Sequence, residues 1–136
     1  MLEALALNMA VPIEPALIAG LPTHEVTLTQ HGETQVCTGP LLADVMAKLG
    51  APSRGDMRGS ALMMTVVVEA RDRYRVALSL GELDPLLGKA EVVLADRCNG
   101  AALTEEDGPF RLAVAGETRG ARSVRQVVSV RLAEVR

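Results

Sequence analysis

DGPFRLAVAGETRGARSVRQV, residues 107–127, is the stretch from which the rest of the chain is read. Gly108-Pro109 supplies the restricted backbone angles of a turn. Phe110 to Ala115 then continues as an apolar segment of the kind that suits a buried strand. Gly116 to Gly120 forms a polar loop, and three arginines, Arg119, Arg122 and Arg125, cluster at its end. Guanidinium groups are planar, forked donors, so a loop that gathers them beside a rigid strand can grip an anion. The same arginines also suit a solvated surface, and the stretch by itself leaves both readings open.

The whole chain sets limits on what that loop can serve. Its 136 residues, 49% of them hydrophobic, predict one ordered domain over 1–136 with a real core and residues 1–20 as an N-terminal arm. Tyr74 and Phe110 are the only aromatics, so stacking on nucleic-acid bases is almost unavailable. A net charge of -3 points the same way, because a phosphate backbone demands a basic face. No nucleic-acid partner is expected. No apolar run reaches membrane-spanning length. Residues 2–19 lack a positive leading segment and are interrupted by Glu3 and Glu14, so no signal peptide is expected in this chain. The compartment, periplasmic or cytoplasmic, stays open. Cys37 and Cys98 could pair, could both be buried thiols, or could include one reactive group. Without CxxC spacing, and with only two histidines, they argue against zinc.

Read in order, the chain is α+β, with mixed or antiparallel sheets, one main helix over about 40–49 and short helical turns. Pro12, Pro15 and Pro22 forbid a long N-terminal helix. They leave a strand or extended arm near Leu5 to Val11 and one helical turn over Pro15 to Ala19, ended by Gly20. THEVTLTQ alternates Val26 and Leu28 with threonines, which marks a strand with one inward face. HGETQ is a turn, and Val36-Cys37 a short returning strand. His24 and His31 flank the THEVTLTQ strand as polar end residues or as acid, base or anion contacts. Leu41, Leu42, Val45, Met46 and Leu49 recur at helical spacing, with Lys48 and Gly50 at the C-terminal end. Residues 51–60 are a loop. LMMTVVVEA, residues 62–70, and Tyr74 to Leu78 form a hairpin around Arg71-Asp72-Arg73. Ser79 and Glu82 have capping-box spacing. EVVLAD, residues 91–96, is a buried strand, Asn99-Gly100 a tight turn, and Val124 to Val135 a last strand with Val128, Val130 and Leu132 inward.

Taken together, these blocks resemble the molybdopterin-binding domain of the sulfite oxidase group of oxidoreductases. The resemblance runs over roughly residues 21–135. It rests on TGPLLADVMAKLGA (38–51), YRVALS (74–79), VVLADRCNGAAL (92–103), GPFRLAV (108–114) and GARSVRQV (120–127), in that order. It implies a small stand-alone version of that fold. By the same resemblance, Tyr74, Arg111, Arg122 and Arg125 fall on positions that face, or lie near, the family's cofactor, and a small anion or a pterin is the implied ligand. Arg119 has no clear counterpart. Tyr74 could instead pack its ring on the core edge with the hydroxyl in water. Arg122 and Arg125 could make fold-stabilising contacts, to Asp96 or Glu91.

Enzymes of that family hold molybdenum through the pterin dithiolene and one cysteine thiolate at the end of a strand. The matching strand here, EVTLTQ, ends in Thr29 and Gln30, and only about half a dozen residues separate it from the returning strand and helix. Neither closing residue can supply a thiolate. The expectation is therefore a non-catalytic binding or interaction module with no metal site, and with molybdopterin implied by resemblance only. The alternative is a molybdopterin-dependent oxidoreductase acting on a small oxyanion or sulfoxide, which binds the cofactor through only the dithiolene and the basic rim, or with Cys37 as a relocated ligand. The sequence carries no motif for a protein partner.

Overall fold

Short, β-prone segments separated by Gly, Pro and Asn turns can bury their apolar faces only by stacking in layers. A computed structural model describes residues 7–135 of the chain. Its elements are β1 (Val11–Pro12), α1 (Pro15–Ile18), β2 (Thr23–Gln30), β3 (Glu33–Pro40), α2 (Leu42–Lys48), β4 (Met64–Ala70), β5 (Arg75–Ser79), α3 (Leu80–Leu83), β6 (Val92–Ala95), β7 (Arg97–Cys98), β8 (Ala101–Ala102), β9 (Arg111–Val114) and β10 (Val127–Glu134). Tight 3-10 turns at Arg54–Asp56 and Gly59–Met63 fill the segment between α2 and β4. The strands form three sheets, ordered β1-β10-β4-β5, β2-β3-β7-β8 and β6-β9. Every strand pair among the described residues is antiparallel. The fold is α+β, and among the described residues α2 is the one helix of seven residues or more.

The pair β6-β9 is buried on both faces, and its period of two divides the core. Val92, Leu94, Leu112 and Val114 join the main cluster with Leu42, Val45 and Met46 of α2 and the inward residues of β4 and β10. Val93, Ala95 and Ala113 turn the other way and meet Val26, Leu28 and Cys37 of the β2-β3 hairpin. Gly39 lets β3 lie directly on β6, since a Cβ there would collide with the Leu94 carbonyl oxygen. Arg111 pairs with Ala95 in the β6-β9 register, so its side chain also faces the β2-β3 layer. Strand parity thus carries a guanidinium into the interior.

Several boundaries differ from the sequence reading. His31 and Gly32, both at positive φ, make a two-residue turn, so β3 starts at Glu33 and runs well before Val36-Cys37. β4 starts at Met64, because Leu62 and Met63 sit in a 3-10 turn. Tyr74 belongs to the turn before β5: its N–H is held by Asp72 Oδ1 at 3.0 Å. β10 starts at Val127, and an irregularity between Val127 and Ser129 shifts the pairing register. Val127, Val130 and Leu132 consequently point inward while Val128 is only half-buried, because an extra residue breaks strict alternation. Of the arm expected near Leu5 to Val11, Val11 pairs with β10, as does Pro12, and the Asn8 N–H donates to the Leu132 carbonyl at 2.7 Å, while the arm's first residues lie outside the described ones. The Pro15 turn, α2 and the Ser79–Glu82 capping box form as expected.

Candidate functional site

At the tip of the β2-β3 hairpin, Leu28 opposes Gln35 and Gln30 opposes Glu33, which puts all four on one face. Facing them are Arg111 at the start of β9, Asp107 before the Gly108-Pro109 turn, and Arg125 after the polar loop. With His31 these residues line a cleft of about 130 Å³. A single water needs only ~10–15 Å³, so a small polyatomic ligand fits.

Arg111 forms the floor and is 2% exposed. Its Nε donates to Ser123 Oγ at 3.2 Å, and Nη2 donates to Ser123 Oγ at 3.1 Å and Gln30 Oε1 at 3.5 Å. Nη1 donates to Gln35 Oε1 at 3.1 Å and lies 3.9 Å from Asp107 Oδ2. The hydrogen-bond acceptors are thus all neutral, and the one carboxylate within 4 Å among the described residues, Asp107, is at the limit of an ion pair. Burial pushes the Arg111 pKa down, Asp107 opposes that, and Arg125 adds to it. An arginine stays charged regardless, so the cleft has a cationic floor.

Asp107 is shared. Its Oδ1 is 3.2 Å from Arg125 Nε, so one carboxylate serves two guanidinium groups. Arg125 is 58% exposed at its side chain, and its two terminal amino groups make no bond among the described residues. It is the donor fork available at the rim. Arg119 lines an adjoining depression that shares Gln30 and His31 with the cleft, and Gly120 there packs close on the Gln30 amide.

The structure brings Arg111 and Arg125 into one cleft, which the other two expected residues, Tyr74 and Arg122, do not line. Arg122 turns away. Its Nε and Nη2 donate to Glu117 at 2.9 and 3.1 Å, with Glu82 3.9 Å from Nη1, in place of the Asp96 or Glu91 contact expected. That fork holds the Glu117 carboxyl below its ordinary range and raises the Arg122 pKa. The Tyr74 hydroxyl donates to the Ala121 carbonyl and so tethers the arginine loop to the β4-β5 turn. Its ring borders a separate depression that shares Arg125 and Ser123 with the cleft region. Arg125 likewise pairs with Asp107, not with Asp96 or Glu91. Gln35, Asp107 and Ser123 went unrecognised in the sequence. Only the polar interruption of β2 and β3 at Gln30 and Gln35 hinted at them.

Cys37 and Cys98 face each other in the β3-β7 register and are joined by a disulfide, so neither is a free or reactive thiol. In the enzymes of the resembled family the pterin-bound molybdenum takes a cysteine thiolate, and the donor set here provides none. Thr29 and Gln30 cannot act as one, and Gln30 is committed to Arg111. Among the described residues no group of three or more His, Cys, Asp or Glu is placed to hold a metal ion. The cleft is also smaller than the ~300–1,000 Å³ usual for drug-sized organic ligands. The residues present do not fit that cofactor, and Cys37 is not a relocated ligand. No helix among the described residues is long and apolar enough to cross a membrane. Neither the protein-family models nor the curated proteins include a match to this chain.

Proposed function

We propose that this chain is a non-catalytic anion-binding module on a scaffold of the sulfite oxidase molybdopterin-domain type. The ordered blocks from TGPLLADVMAKLGA to GARSVRQV support the scaffold. One observation carries the function: a buried guanidinium, Arg111, has neutral hydrogen-bond acceptors, and the carboxylate it pairs with, Asp107, is shared with a second guanidinium, Arg125. Buried charge is costly unless compensated, and a bound anion would supply the missing compensation. The anion would take the exposed fork of Arg125 and the field of Arg111, whose own donors are nearly all engaged.

The test is a titration of the oxidised protein with acetate and with sulfate at low ionic strength, followed by backbone amide shifts. Saturable changes confined to Gln30, Gln35, Asp107 and Ser123, and weakened in Arg125→Gln, are expected. Linear, diffuse shifts that Arg125→Gln leaves unaltered would remove the proposal.

A further inference from the structure

Glu33 lines the same cleft as Arg111 and Arg125, yet it makes no ion pair among the described residues. Its position follows from the hairpin. Glu33 is the cross-strand partner of Gln30, the pair that closes the two-residue turn, so both side chains stand on the face that looks into the cleft. Gln30 reaches across to Arg111 at 3.5 Å. Glu33 stops short of both guanidinium groups. On the far wall, Asp107 is already engaged by Arg125 and Arg111, which leaves Glu33 as the one carboxylate of the lining without a cationic partner. Opposite charges therefore face each other across a small cavity without touching: a carboxylate on the hairpin wall, guanidinium groups on the floor and the opposite rim.

A simple anion answers only half of this arrangement. It would pair with Arg125 but stand against the negative charge of Glu33. A molecule with an anionic and a cationic end a few atoms apart would complete both halves, and the Gln35 amide adds a polar group to the lining. We infer that the cleft takes a small zwitterion of the α-amino acid type, with its carboxylate at Arg125 above Arg111 and its ammonium at Glu33. This assignment rests on the anion-binding reading above and narrows it to one ligand class. Glu33 would then be the specificity-determining residue, and Arg125 the residue that holds the ligand.

The experiment is a set of parallel amide-shift titrations of the oxidised full chain with glycine, acetate, methylammonium and inorganic phosphate, repeated on Glu33→Gln. Glu33 is exposed on a hairpin tip, so this replacement leaves the core untouched. Glycine should bind more tightly than acetate or methylammonium by roughly tenfold or more, the equivalent of one charge-assisted hydrogen bond. In Glu33→Gln that preference should vanish as glycine binding weakens and acetate binding tightens. Phosphate or acetate binding as tightly as glycine, with Glu33→Gln indifferent, would overturn the zwitterion assignment and leave the anion cleft standing. Absence of saturable binding for all four probes would overturn both.

Discussion

Removing the Cys37–Cys98 bond perturbs the fold at one defined point, and its cost follows from the chain path. The two residues are 61 apart in sequence, and the enclosed segment carries α2, β4, β5, α3 and β6. Constraining a loop of that length in the unfolded chain stabilises the folded one by about 4 kcal/mol at 25 °C in the chain-entropy treatment. That is a large share of the roughly 5–15 kcal/mol that holds an ordinary domain together. The bond also ties the two-residue β7 to β3, next to Val36 and Gln35, where Asn99 Oδ1 accepts the Val36 N–H at 2.9 Å. The perturbation is the double replacement Cys37→Ala/Cys98→Ala, with unfolding in urea followed by far-ultraviolet circular dichroism because the chain has no tryptophan. With a urea slope of about 2 kcal/mol/M, the midpoint should fall by about 2 M. A loss below about 1 kcal/mol, or two titratable thiols in the native protein, would refute the disulfide and with it the exclusion of a thiolate ligand.

Other expectations probe single contacts. Tyr74→Phe should cost about 1 kcal/mol by deleting the bond to the Ala121 carbonyl, and hydrogen exchange should rise through residues 116–125 but not in β4. Ser79→Ala removes the acceptor of the Glu82 N–H at 3.2 Å and should lower stability by ~1 kcal/mol in the same urea assay. Gly39→Ala should reduce soluble folded protein sharply, since the added Cβ meets the backbone of β6 rather than a yielding side chain. The Arg122 fork depresses the Glu117 pKa, so its stabilisation is fully present above the unfolded carboxylate value and is lost as pH falls through the lower folded value. Wild type and Glu117→Gln should therefore differ by less than ~1 kcal/mol at neutral pH, with the gap closing at acid pH below the ordinary 4.5. A gap that widened on acidification would contradict that pairing.

What the sequence made legible was local. The α2 stripe, the Ser79–Glu82 box, the Asn99-Gly100 turn and the inward Val26 and Leu28 each follow from a period or a turn chemistry contained in a few residues. β10 defeated the same reasoning, because one irregularity after Val127 left Val128 half-buried and shifted the inward set to Val127, Val130 and Leu132, without any sequence signal such as glycine. The site was less visible for a related reason. Counting alternate residues along β9 puts Arg111 on the face of Ala113, opposite to Leu112, but which layer covers that face depends on how β2-β3 docks. Gln30 and Gln35 lie 81 and 76 residues from Arg111, so their meeting is a property of sheet stacking. The arginine cluster misled for the opposite reason. Arg122 and Arg125 are neighbours in sequence, yet the loop turns them to different carboxylates, Glu117 and Asp107.

The most direct trial of a cleft that works by guanidinium groups and not by a metal thiolate is elemental and pterin analysis. The full chain would be produced with molybdate and an intact cofactor pathway, then purified oxidised. Neither molybdenum nor releasable pterin should accompany it in stoichiometric amount. One molybdenum per chain, retained through gel filtration, would contradict the account at its root.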